Sequence, residues 1–134
     1  MTPLLVDSNV ILDVATQDPA WGERSGRALA RESEKAQLVI NPIIFAEVSV
    51  GFVKVEDLEE ALPAEFFRRE NLPWEAAFLA GKCFLAYRRR GGKKVSTLPD
   101  FYIGAHAALA GYRLLTRDPA RYRTYFPGLE ILVP

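Results

Sequence analysis

With a single cysteine, Cys83, the chain cannot build an internal disulfide framework, and a reducing compartment is its expected setting. A single histidine, His106, likewise leaves no His/Cys ligand set of the kind zinc requires. No apolar run approaches the ~18 residues of a membrane span. The opening Met1-Thr2-Pro3-Leu4-Leu5-Val6-Asp7 has no basic leader, and its short apolar run is cut off by Asp7, so it does not read as a signal peptide. The cytoplasm is the expected address. Charge of one sign is not in excess either: Lys plus Arg and Asp plus Glu are 17 each. No global positive field exists to attract nucleic acid, so any such contact must come from a local patch.

What is present has the character of one folded domain. Apolar residues make up 49% and charged residues 25% of 134 residues, and no repeat, low-complexity tract or linker divides them, so residues 1–134 are read as a single domain. Four short runs, Leu4-Leu5-Val6, Leu38-Val39-Ile40, Leu114-Leu115-Thr116 and Ile131-Leu132-Val133, are too apolar to alternate in and out. Such runs suit strands covered on both faces of a parallel sheet, and a weaker strand is expected near Asn71-Leu72. Helical periodicity fills the gaps, as over Ala20 to Lys35 and Trp74 to Arg90, where Ala77, Leu79, Ala80, Cys83, Phe84 and Tyr87 form one apolar stripe. Alternating strands and helices predict a three-layer α/β/α sandwich around a four- to five-stranded parallel sheet.

Punctuation supports this map. Asp7, Asp100 and Asp118 each open a helical stretch, Pro119 suits a first helical position, and Gly91-Gly92 follows three arginines as a helix stop. Taken singly, each aspartate reads as an N-cap. In a parallel sheet, however, the carboxyl ends of all strands lie on one edge. Asp7 directly follows the first strand, Asp118 follows the run ending at Arg117, and Glu47 lies in the helix that leaves the second strand through Asn41-Pro42. Asp100 starts a helix running antiparallel to the strands, which brings it to the same edge. Caps have no need to converge, and crowded carboxylates raise one another's pKa unless a cation sits among them. Oxygen ligands of this kind suit Mg²⁺ or Mn²⁺.

The residues around these acids resemble the motifs of the PIN-domain family. Val6-Asp7-Ser8-Asn9-Val10-Ile11-Leu12-Asp13 looks like its opening motif, and Ile44-Phe45-Ala46-Glu47-Val48 its second. Pro99-Asp100-Phe101-Tyr102-Ile103-Gly104-Ala105-His106-Ala107 is similar to the third and Leu115-Thr116-Arg117-Asp118 to the fourth. Order and spacing cover nearly the whole chain, and the compact length is similar to VapC-type toxins of toxin–antitoxin pairs. The resemblance implies a PIN-like fold and a Mg²⁺- or Mn²⁺-dependent endoribonuclease, usually a homodimer and inhibited by a small antitoxin. By carry-over, Asp7, Glu47, Asp100 and Asp118 are the catalytic and metal-binding quartet, supported through hydrogen bonds by Asn9 and Thr116. Gly104 departs mildly from the pattern, where small aliphatic residues such as alanine are more usual.

Other features carry two readings. Arg88-Arg89-Arg90-Gly91-Gly92-Lys93-Lys94 puts five positive charges in seven residues, which suits an RNA backbone grip or a solvated helix end. His106 falls about 240° around its helix from Asp100 and is expected to be structural, and Cys83 is expected to fill core. Trp21, Trp74, Phe66 and Phe67 suit burial in the monomer or a partner surface, and Asp13 has no identifiable role. Two rival functions remain. A Mg²⁺-dependent phosphotransfer enzyme of the hydrolase type would want Asp-x-Asp where Asp7 is followed by Ser8-Asn9, and a non-catalytic binding module has no need of four acids.

Overall fold

The computed structural model describes residues 1–93 and 97–134. Its elements run β1 (Leu4–Val6), α1 (Ser8–Ala15), α2 (Gly22–Ser33), β2 (Leu38–Ile40), α3 (Pro42–Ser49), α4 (Val55–Ala61) and β3 (Phe67–Arg69). Then come α5 (Trp74–Arg89), α6 (Leu98–Ala110), β4 (Arg113–Leu115), α7 (Ala120–Tyr125) and β5 (Ile131–Leu132). The strands form one sheet in the order β3-β2-β1-β4-β5, and every pairing is parallel. The helices flank that sheet as an α/β/α sandwich. From the central β1 the chain moves outward through β2 and β3, then returns to lay β4 on the other side of β1. The order therefore reverses between β1 and β4, where open α/β sheets leave a crevice beyond the strands' carboxyl ends.

The apolar runs behave as their composition requires. Leu4, Leu5, Val6, Val39, Leu114 and Leu115 are fully buried, because strands covered on both faces have no solvent side. The third strand lies at Phe67–Arg69, four residues before the expected Asn71-Leu72. As an edge strand it needs just one buried side chain, Phe67, while Arg68 and Arg69 face outward, so the hydropathy signal is weak. The fourth strand starts one residue earlier than its apolar run because Arg113 is drawn in, its guanidinium 3.6 Å from Glu32 and 3.2 Å from the Thr2 carbonyl.

Two helix starts also differ from the expected punctuation. Asp100 is the third residue of α6, whose N-cap is Thr97, and Pro119 is itself the N-cap of α7, leaving Asp118 one residue outside. Neither acid is committed to capping, so both side chains are free for other work. The α6 helix stops at Gly111, whose φ of 72° is the left-handed cap that glycine adopts without a Cβ penalty.

The unusual glycine has a packing reason. A Cβ at position 104 would fall 2.3 Å from Cε2 of the buried Phe126 ring, so α6 and the segment after α7 approach through the space glycine leaves. Gly104→Ala is expected to lower stability by about 1–2 kcal/mol, overpacking outweighing the gain in helix propensity. Urea unfolding at neutral pH checks this, and a stabilised variant would show that the Phe126 ring moves aside freely.

Candidate functional site

Asp7 stands at the carboxyl end of β1 and caps α1, its extended backbone (φ −67°, ψ 151°) turning the side chain toward the Ser8 N–H at 2.8 Å. Its other oxygen, Oδ2, accepts from Thr116 Oγ1 at 2.8 Å and from the Tyr122 hydroxyl at 3.0 Å. These three donors come from the start of α1, the end of β4 and α7. The side chain is almost wholly buried. Burial pushes its pKa up and the charge of Asp100 adds to this, while the hydrogen bonds from Thr116, Tyr122 and Ser8 oppose it without prevailing.

Glu47 reaches the same edge from α3, where Ser8 Oγ donates to its Oε1 at 2.9 Å. Burial raises its pKa, offset in part by the Ser8 bond and reinforced by the charges of Asp7 and Asp100. Asp100 arrives from the first turn of α6. Burial raises its carboxyl too, and the charge of Asp118 adds to that, against the lowering influence of Arg121, whose Nη1 donates to Asp100 Oδ2 at 2.7 Å. Asp118 is exposed on the loop between β4 and α7. Asn9 and Thr116 tie that loop down: Asn9 Nδ2 donates to Asp118 Oδ2 at 3.3 Å, and Asn9 Oδ1 accepts from the Arg117 N–H at 3.3 Å. Thr116 Oγ1 accepts from the Asp118 N–H at 3.2 Å while donating to Asp7.

Asp7, Asp100 and Asp118 line one cavity of about 450 Å³, together with Asn9, Arg121 and Tyr122. Glu47 borders it through Ser8. The four acids thus share one edge and, through Asp7, Glu47 and Asp100, one electrostatic field. They do not form a closed cage: among the described residues no three Asp, Glu, His or Cys side chains stand close enough together to hold a metal ion. The donor set nevertheless fits a hard divalent cation, being carboxylate oxygen throughout, and Mg²⁺ is commonly bound by one or two carboxylates plus waters and substrate phosphate.

Several contributors had no signal of their own in the sequence. Tyr122 is buried and its hydroxyl pKa lies well above the usual range, through burial first and then the charges of Asp7 and Asp100. Arg121 and Tyr122 follow Asp118 by three and four residues, a spacing visible only once α7 is known to start there. Asp13 also has a place: almost wholly buried, it accepts from Ser25 Oγ at 2.9 Å and pairs with Arg117 Nη1 at 2.9 Å. The available clue was its position four residues after Asn9 on the same face of α1. Both side chains hold Arg117, Asn9 by the backbone and Asp13 by the guanidinium.

Outside the acidic edge, His106 is structural as expected, buried with Nδ1 3.0 Å from Asn41 Nδ2 and Nε2 3.5 Å from Glu70, and burial lowers its pKa. Cys83 is buried core. The four aromatics divide: Phe67 is buried and Trp21 half-buried, but Phe66 is exposed and Trp74 is 88% exposed, so monomer burial does not account for those two. In the basic run Arg88, Arg89, Arg90 and Lys93 are exposed, and Lys94 lies outside the described residues. The Arg90 guanidinium sits 5.2 Å above the Tyr125 ring, and Tyr125 packs against Phe101 and Tyr87, the latter also facing Arg121. No helix among the described residues is long and apolar enough to cross a membrane.

Comparison with known proteins agrees with this geometry. The chain overlays, with a TM-score of 0.76 and 16% identity over 98% of each chain, on a chain of VapBC2 from Rickettsia felis bound to a DNA fragment from their promoter. A chain of VapBC-1 from nontypeable Haemophilus influenzae matches with a TM-score of 0.73 and 18% identity over 98% of this chain and 97% of that one. A toxin–antitoxin complex from Klebsiella pneumoniae gives 0.67 and 26% identity over 96% and 95%. No curated protein sequence matches the chain. The PIN domain model matches residues 4–127, the span from β1 past Asp118 and Tyr122, and the chain is therefore a member of the PIN-domain family.

Proposed function

We propose that this chain is a metal-dependent endoribonuclease acting in the cytoplasm as the toxin of a toxin–antitoxin pair, probed best with Mg²⁺ or Mn²⁺. The observation that carries the reading is the meeting of Asp7, Asp100 and Asp118, from three separate elements, around one cavity at the switch point of the sheet. Glu47 stands beside it. The toxin assignment and a small antitoxin as partner are supported by the likeness to the VapBC and other toxin–antitoxin complexes; a homodimer as the working form is part of the same proposal and follows from the family resemblance alone.

In this reading Asp7 and Asp100 would be the direct ligands of the cation, with waters and substrate phosphate completing its shell, and Glu47 and Asp118 would act on it through water. A divalent ion there supplies Lewis acidity to a scissile phosphate and lowers the pKa of water. Thr116 and Tyr122 fix the orientation of Asp7 by donating to one of its oxygens. Glu47, with its pKa raised and its carboxylate steadied by Ser8, takes the proton from the attacking water. Asn9 and Thr116 keep Asp118 over the cavity. Arg88, Arg89, Arg90, Lys93 and Lys94 supply the local positive patch for the RNA backbone that a neutral chain requires.

Incubation of the purified chain with structured and unstructured RNA in Mn²⁺ or Mg²⁺ is expected to give internal cleavage that EDTA abolishes. Intact RNA under all conditions would favour a non-catalytic binding module. A covalent phosphoaspartate would favour phosphotransfer.

A further inference from the structure

Arg121 engages Oδ2 of Asp100, one of the oxygens that the proposed function gives to a cation. Among the described residues its bond to Asp100 is the sole ion pair made by any of the four acids. At 2.7 Å the guanidinium engages Asp100 Oδ2, and with 29% of one side chain and 33% of the other accessible, water and ions reach the pair. The pair is part-buried but reached by water, so another cation can compete for the same carboxylate oxygen. Arg121 is also supported away from the acid, because its guanidinium lies 5.7 Å from the centre of the Tyr87 ring.

Neutralising Asp100 has consequences for its neighbours. Asp100 faces Asp7 and Asp118 across one cavity, so a positive group on Asp100 offsets like charge along that edge. Arg121 supplies that relief from within the chain. A divalent ion would supply more of it, and both cannot hold the same oxygen. We infer that Arg121 is the resting counter-cation of Asp100, which a divalent ion must displace, so that ion binding and release of the guanidinium into the cavity are one exchange. This rests on the metal-dependent reading above, and it adds a positioning residue that acts through Asp100.

Mn²⁺ binding without RNA tests it, followed by electron paramagnetic resonance of the free ion in wild type, Arg121→Ala, Arg121→Gln and Arg121→Lys. Removing the competitor is expected to tighten Mn²⁺ binding by about three- to fivefold in the Ala and Gln variants, the scale of one water-accessible ion pair. The Lys variant should stay near wild type. In an Asp100→Asn background the same Arg121 substitutions should change nothing. Unchanged or weaker binding in both Ala and Gln variants overturns the exchange, as does an equal gain in the Asp100→Asn background. If wild type binds Mn²⁺ and cleaves RNA yet shows no Arg121 effect, the exchange fails and the nuclease stands. If wild type binds no Mn²⁺ at millimolar concentration, both fall together.

Discussion

Asp7→Asn is expected to reduce RNA cleavage by about 10²–10³-fold or more, as loss of a charged group acting at the reacting phosphate does. In chelator the same variant is expected to melt no lower than wild type. The two outcomes have one cause. Asp7 is a buried carboxylate whose pKa is raised, so at neutral pH its charge opposes folding. Asn is as good an N-cap for α1 and keeps an oxygen for the Ser8 N–H. The sign of the pH dependence follows: for a raised carboxyl, stability is fully present below the unfolded value, near 3.9 for aspartate, and is lost as pH rises through the folded value. The advantage of Asp7→Asn over wild type should therefore shrink as pH is lowered. His106, with its lowered pKa, gives an opposite slope below about pH 6.5, but it is common to both proteins and cancels in their difference. Melting curves in EDTA at two pH values measure this. A loss above about 2 kcal/mol for Asp7→Asn would mean that its hydrogen bonds matter more than its charge.

Asp13→Ala should affect both stability and cleavage although Asp13 does not line the cavity. It takes from Arg117 its ion pair, leaving the guanidinium against the Trp21 ring, and leaves Ser25 without its acceptor, at a cost of about 2 kcal/mol, discounted because Arg117 remains partly accessible to water. The loop carrying Asp118 then loses one of its two anchors on α1. Cleavage is expected to fall about tenfold, the scale for removing a group that orients a metal ligand. Chemical denaturation and single-turnover cleavage, both measured well below the transition, separate the two effects. Full activity in a destabilised Asp13→Ala would confine Asp13 to the fold.

These expectations differ in how far they were visible in the sequence. The central strands were, since Leu4-Leu5-Val6 and Leu38-Val39-Ile40 have no polar alternation to place them elsewhere. The edge strand was misplaced by four residues because Phe67-Arg68-Arg69 buries one side chain of three. That Asp7, Glu47, Asp100 and Asp118 would lie along one edge was legible from their positions relative to strand ends, whereas their role as metal ligands came from the family resemblance and remains a proposal. Tyr122 and Arg121 were not legible, because a tyrosine and an arginine on a six-residue helix look like any surface pair until that helix is folded against the cavity.

The order of apolar runs and acids along the chain determined by itself that a parallel sheet would form and that its carboxyl edge would be acidic, because strand burial and strand direction are set locally and by topology. Tertiary structure alone decided how those acids are held. Only packing α7 against α6 and the end of β1 brings a tyrosine hydroxyl to Asp7 and a guanidinium to Asp100. Contacts between residues more than a hundred positions apart, such as Thr116 with Asp7, depend on ångström-scale placement that no local propensity encodes.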